Sequence, residues 1–381
     1  MVVPGDAGRR WFAVRVAFRA DASVQIGTGH VMRCLTLADE LTRQGHECRF
    51  VCREHEGHLG ELITSKGYGL TLLPSCSDNE LDTKDSRSDN YARWLGVPWQ
   101  EDARQTLDAL TPWQPDWLVV DHYALDAEWE RALANAVGSI MVIDDLANRC
   151  HECALLLDQN LGRVESDYDG LLPEDCQRLT GPGYALLRPE FANLREQSMN
   201  RRQQPALKRI LISLGGVDRN NVTGQVLDAI SESALPASTE LDIIMGAAAP
   251  YLDEVRQQAT GLSFKATVSV GVTDMAERMM LADLAIGAVG STSWERCCLG
   301  LPAILMVLAE NQKSAAEALK RNGAVIITDS GVGVRTELDR LMNSDDTKNR
   351  LTRMIQLGSD LVQGDGCTRV VNELTARSRE L

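Results

Sequence analysis

The chain of 381 residues has no run of about 18 apolar residues, so no segment is expected to span a bilayer. It is short of positive charge. Lys and Arg number 39 against 54 Asp and Glu, a formal net charge of -15, which argues against general nucleic-acid binding. A small anion is a different matter, because a few arginines and helix N-termini act locally and are little screened when partly buried. The ten cysteines show neither a paired framework nor a CxxC zinc pattern, and the neighbours Cys297 and Cys298 could hardly bridge to each other. Reduced thiols in a cytoplasm are expected. The opening MVVPGDAGRRW carries two arginines and two glycines where an export signal needs an apolar stretch, so none is expected.

What the sequence does contain is alternation. WFAVRVAFRA, ECRFVCR, GLTLLP, DWLVVDHY, IMVIDDLA and CALLLDQN read as strands separated by helix-like stretches, which predicts βαβ units and a parallel sheet. Val31, Leu35, Ala38 and Leu41 form one apolar face of a helix predicted over 30–44, with Gly45 as its stop. RILISLGGVD, LDIIMG, LSFKATVSV, LADLAIGAV, PAILMVLA and AVIIT repeat the theme, and the segment from Asp339 to Leu381 reads as mainly helical. The fold class expected is α/β, with two Rossmann-like, doubly wound parallel-sheet domains. The polar, proline-containing stretch 192–206 is taken as a linker between a domain of 1–191 and one of 207–381. The polar stretch from Ser75 to Asn90 reads as a surface excursion.

Open parallel sheets bind ligands beyond the carboxyl ends of their strands, so the loops after strands are where a site is expected. IGTGHVMR supplies Gly27, Gly29, His30 and Arg33 at one such loop. It lacks the third glycine of the GxGxxG fingerprint and the GK[ST] of a Walker loop. The glycines allow close approach of a ligand, and the positive end of a helix dipole disfavours the imidazolium of His30, as suits a general base. A histidine that merely caps or packs is the competing reading. In GAVGSTSWERCCLGLP, Gly290, Ser291 and Thr292 could cradle a diphosphate at a helix start. Glu295 could accept both hydroxyls of a ribose, or could instead form a capping box with Thr292. Asp121 with His122, and Asp144 with Asp145, sit at strand ends, where they could serve glycoside hydrolysis, hold a divalent metal, or cap the following helix. Gly215 and Gly216 open another helix. Arg188, in GPGYALLRPEF, suits either a phosphate or a salt bridge across a hinge.

Taken in order, RADASVQIGTGHVMRCLTLADEL, VVDHYALD, VIDDLANR, LLDQNLG, GPGYALLRPEF, ISLGGVD and GSTSWERCCLGLPAILMVLAENQ resemble the UDP-2,4-diacetamido-2,4,6-trideoxy-β-L-altropyranose hydrolases of pseudaminic acid biosynthesis. The resemblance runs from about Arg19 to Ala324. It implies a fold similar to the GT-B glycosyltransferases, with two domains facing a cleft. It also implies metal-independent, inverting hydrolysis of a UDP-activated diacetamido trideoxy sugar to UDP and the free sugar, with no cofactor. The family's base histidine falls on His30 and its ribose-binding glutamate on Glu295, with Arg188 and Asn311 matching further substrate contacts. Arg19, Gly27, Gly29, Arg33, Gly215, Gly216, Gly290, Ser291, Thr292 and Gln312 complete the substrate-binding residues expected. The partners implied are that UDP-sugar alone, with no nucleic acid and no membrane, and a monomer or weak oligomer. The N-terminal ten residues, the 75–90 stretch and the tail beyond about Asp329 depart from the pattern.

Overall fold

The computed structural model of the protein describes residues 13–75, 91–247 and 249–378. The N-terminal ten residues and nearly all of the polar excursion between Ser75 and Asn90 lie outside these. The first half forms β1 (Arg15–Ala20), β2 (Glu47–Arg53), β3 (Gly69–Leu73), β4 (Trp117–Asp121), β5 (Ser139–Ile143), β6 (Leu155–Asp158) and β7 (Gln177–Thr180). They make one parallel sheet in the order β3-β2-β1-β4-β5-β6-β7. The second half forms β8 (Arg209–Ser213), β9 (Glu240–Met245), β10 (Lys265–Val270), β11 (Leu284–Ala288), β12 (Ala303–Met306) and β13 (Val325–Thr328). Their order is β10-β9-β8-β11-β12-β13, again all parallel. The central strands β4 and β11 are almost wholly buried because helices cover both faces, which is why they read as unbroken apolar runs.

Each sheet reverses its winding once, between β1 and β4 in the first and between β8 and β11 in the second. The loops leaving those strands part there and open a crevice, the place where such sheets take ligands. The helix Gly29–Arg43 leaves the first crevice and buries Val31, Leu35, Ala38 and Leu41 against the sheet. Gly45 ends it at φ +91°, a conformation that favours glycine, and the N–H of His46 returns to the carbonyl of Leu41 at 3.0 Å.

Two segments differ from their sequence reading. The stretch 192–206 is mostly helix, Pro189–Arg201, and not an open linker. Its polar side chains are donors to helix-end carbonyls of the second half: Arg195 to Cys298 and Ser359, Ser198 to Leu299, and Arg202 to Met279, Met280 and Gly300. The last helix, Gly366–Arg377, belongs to the second half in sequence but packs on the first sheet's core through Cys367, Val370, Val371 and Leu374. Trp117 Nε1 donates to Ser378 Oγ at 2.6 Å and ties its end there. Among the described residues no helix is long and apolar enough to cross a membrane.

Candidate active site

The loop after β1 brings the IGTGH segment to the first crevice. Gly27 sits at φ +81°, with its N–H on the Ser23 carbonyl at 2.8 Å, and Gly29 has open space where a Cβ would stand. The helix begins at Gly29 with no side-chain cap, so His30 occupies its first turn beside free backbone donors. His30 is 8% exposed, and its Nδ1 lies 2.6 Å from Oδ1 of Asp121, the last residue of β4. Asp121 is fully buried and also accepts from Arg33, Nε at 2.5 Å and Nη2 at 2.6 Å. Burial opposes the charge on Asp121. The Arg33 guanidinium and His30 outweigh it and hold the carboxyl below the ordinary carboxylate range. A carboxylate at Nδ1 fixes the proton there, which leaves the lone pair of Nε2 for other work. The Tyr123 ring stands edge-on to His30 at 4.7 Å and completes its setting.

A cavity of about 170 Å³ lies between this cluster and the second domain. His30, Arg33, Tyr123 and Asp145 line one side; Val289, Gly290, Ser291, Trp294 and Gln312 line the other. Gly290 again has open space at its Cβ position, and Ser291 and Thr292 are exposed at the start of the helix Thr292–Cys298. Gln312 spends its carbonyl oxygen on the N–H groups of Leu308 and Ala309, so only its amide NH₂ remains for a ligand. Asn311 lies in the short turn Glu310–Gln312, and its side chain falls outside the described residues. Gly215 and Gly216 follow β8 beside the switch point, Gly215 at φ +104°. Arg219, three residues on, donates to the carbonyl of Val24 in the first domain's loop, so the cleft is bridged.

Glu295 does not form the alternative capping box with Thr292, because Ser291 takes the cap position and no side chain caps that helix. Its carboxylate instead faces Arg188, whose Nη2 is 3.8 Å away while Nη1 holds Glu190 at 2.9 Å. Burial pushes Glu295 up to about 7 against the opposing charges of Arg188 and Arg296. Arg19 is a correction. It is wholly buried and bound by Asp21 at 2.6 and 2.9 Å and by Asp102 at 2.7 and 3.3 Å, so it ties β1 to the helix Trp99–Leu110 and cannot reach a ligand. Arg33 reaches the cavity wall, but its guanidinium is engaged by Asp121 and, at 3.1 Å, by Asp145.

The paired aspartates separate by role. Asp144 is buried and satisfied by Arg149, Tyr168 and the N–H of Ala147, a structural assignment, whereas Asp145 faces the cavity. Among the described residues no group of His, Cys, Asp and Glu is arranged to hold a metal. Sequence reasoning did not pair Asp121 with His30, although its place at the end of β4, next to β1 in the sheet, is the signal that could have found it. Tyr123, Gln159, Asn160 and Trp294 also line the cavity and were not singled out. Only the motifs VVDHYALD, LLDQNLG and GSTSWER contained them.

Two Rossmann-like domains facing such a cleft define the GT-B fold, and solved structures agree. MurG of Acinetobacter baumannii superposes with a TM-score of 0.65 at 15% identity, covering 94% of this chain and 98% of that one. The structure of TcCGT1 in complex with UDP gives 0.65 at 11% identity, covering 97% and 100%. No family model matches the chain. In sequence it is similar to the UDP-2,4-diacetamido-2,4,6-trideoxy-β-L-altropyranose hydrolase of Campylobacter jejuni, 24% identical over 310 residues, which are 81% of this chain and 97% of that protein. It also resembles the spore coat polysaccharide biosynthesis protein SpsG of Bacillus subtilis, 28% identical over 197 residues, 50% of this chain and 56% of that one. An uncharacterized protein of Methanocaldococcus jannaschii is 24% identical over 305 residues, and the chain spans only 57% of its length. The resemblance drawn from the motifs thus extends over most of the sequence.

Proposed function

We propose that the protein hydrolyses a UDP-activated 2,4-diacetamido-2,4,6-trideoxy sugar of the L-altrose type, releasing UDP and the free sugar with inversion at the anomeric carbon, in pseudaminic acid biosynthesis in the cytoplasm. The observation that carries the reading is the His30–Asp121 pair facing Gly290 and Ser291 across one cavity. In this reading Nε2 of His30 takes a proton from a water. The water oxygen forms a bond to the anomeric carbon as the bond to the diphosphate oxygen breaks. UDP leaves with that electron pair, and Asp121 stabilises the imidazolium that forms. Because a diphosphate is already a good leaving group, activation of water matters more than protonation of the departing oxygen. Backbone N–H groups from Gly290 to Thr292 offset the charge growing on UDP.

The ribose hydroxyls fall to Glu295 in its ionised form, with Arg188 beside it. Arg33 acts through Asp121 and not on the sugar. The first domain carries the base and the sugar site and the second carries UDP, with the chain passing between them in 192–206; the last helix rejoins the first. Gly27 and Gly29 leave room for the sugar and the water, and the chemistry needs neither a metal nor a cofactor. The test is incubation with the UDP-diacetamido sugar in the presence of a chelator, with UDP and the anomeric configuration of the product followed by NMR. Release of UDP and an inverted sugar is expected. Release only with an added divalent metal, or only when an acceptor alcohol is supplied, would overturn hydrolysis as stated here.

A further inference from the structure

A cation is buried under the second domain's side of the cleft with no ion-pair partner among the described residues. Arg296, on the helix Thr292–Cys298, is 2% exposed. Its guanidinium turns back beneath the end of β11, where Nη1 donates to the carbonyl of Ala288 at 3.1 Å. A Cβ on Gly287 would lie 2.4 Å from Nη2 and 2.8 Å from the Ser213 carbonyl oxygen. The group is therefore wedged between the carboxyl ends of β8 and β11, the two strands at which the second sheet reverses. Glycine weakens a strand interior, and here its presence makes the room that the guanidinium fills.

The other fully buried arginines are ion-paired or, in the case of Arg202, have all three guanidinium nitrogens hydrogen-bonded. Arg19 and Arg53 share Asp102, and Arg33 holds Asp121. Arg202 donates to three carbonyls. Arg296 has Nε without any hydrogen-bond partner, and among the described residues no carboxylate forms an ion pair with it; Glu295 turns to Arg188 instead. The charge of Glu295 acts on Arg296 only through space and is shared with Arg188. A buried guanidinium without an ion pair is costly, and an anion bound nearby would lower that cost. The loops directly beyond β8 and β11 carry Gly215, Gly216, Gly290 and Ser291.

We infer that the counter-charge of Arg296 is the diphosphate of the bound nucleotide, held across the backbone of these two glycine loops by a fixed cation that does not itself contact it. The inference rests on the nucleotide-sugar reading above. Backbone N–H groups at a helix start contribute partial charges, whereas a buried guanidinium contributes a full one in a medium of low dielectric, where its reach is longer. The same charge favours the leaving group as its negative charge grows. Arg296 is thus a positioning residue for the diphosphate.

The experiment compares UDP and uridine binding by calorimetry in the wild type, Arg296→Gln and Arg296→Lys, with thermal melts of each unliganded protein. Gln keeps a donor for the Ala288 carbonyl but is neutral; Lys keeps the charge. Arg296→Gln should weaken UDP by about 10-fold or more, as expected for losing a full charge that acts on the diphosphate through a medium of low dielectric, while uridine is unchanged. Arg296→Lys should stay close to the wild type, and the unliganded Gln variant should melt no lower. Equal losses for UDP and uridine, or equal losses in the Gln and Lys variants, would show a structural tie and overturn the inference. Should Gln fail to fold, the Lys variant decides, since a tenfold selective loss of UDP with the charge retained contradicts it. A wild type that binds neither ligand would overturn the nucleotide-sugar reading itself, whereas UDP binding untouched by Gln overturns this inference alone.

Discussion

His30 and Asp121 are 91 residues apart in the chain and 2.6 Å apart in space, and what each can do depends on the other. Removing the proposed base by His30→Ala should lower turnover by about 10²- to 10⁴-fold, with UDP affinity kept, as measured by NMR turnover and calorimetry. Asp121→Asn tests the tautomer. An amide can donate to Nδ1 and so turn the proton to Nε2, and the expected loss is again at least about 10²-fold with little change in KM. Unchanged turnover in either variant would remove the dyad from the mechanism. The proposed ribose contact of Glu295 predicts a pH dependence. Burial has raised its pKa to about 7, so its carboxylate forms as pH rises through that value. UDP affinity should therefore rise between about pH 6 and 8, and Glu295→Gln should be weaker and lose that part of the slope. The linkage also has a sign in the free protein. A carboxyl that ionises later when folded contributes stability at low pH that is lost as pH rises from 4.5 through about 7, and Gln should flatten that decline in thermal melts.

At the scale of elements, twelve of the thirteen strands are legible: the central ones as unbroken apolar runs because both faces are buried, and more exposed ones such as β3 and β10 as short or alternating apolar stretches between turn signals. The exception, β7 (Gln177–Thr180), is an edge strand of four residues, QRLT, with little apolar content, so nothing in its sequence distinguishes it from a loop. The helix Pro189–Arg201 was concealed by its composition, since it is anchored by arginine and serine donors and not by an apolar stripe. Loop packing can be tested at Gly246, which follows β9. A Cβ there would stand 1.9 Å from the carbonyl oxygen of Gly216, so the backbone must give way. Gly246→Ala should cost about 1–3 kcal/mol in urea unfolding and weaken UDP binding by displacing the Gly215–Gly216 loop. A stable variant that binds UDP normally would show that this loop is not part of the cradle.

For the whole molecule, the helix Gly366–Arg377 returns from the second sheet to pack on the sheet that carries β1. Leu374 is fully buried in that contact. Leu374→Ala should destabilise the first domain by about 2–5 kcal/mol in urea unfolding, although the residue lies in the C-terminal tail of the sequence. A change confined to the second domain's unfolding would contradict the packing. The sequence by itself determined the two parallel sheets, the order of the glycine loops and the residue types at the cleft, because apolar periodicity and turn chemistry are local properties of the chain. Tertiary structure alone decided that Arg19 is a buried cross-link, that Asp121 is the partner of His30, and that Arg296 has no ion pair among the described residues. Pairing of charges depends on which strands become neighbours when the sheet reverses its winding, and no local pattern records that.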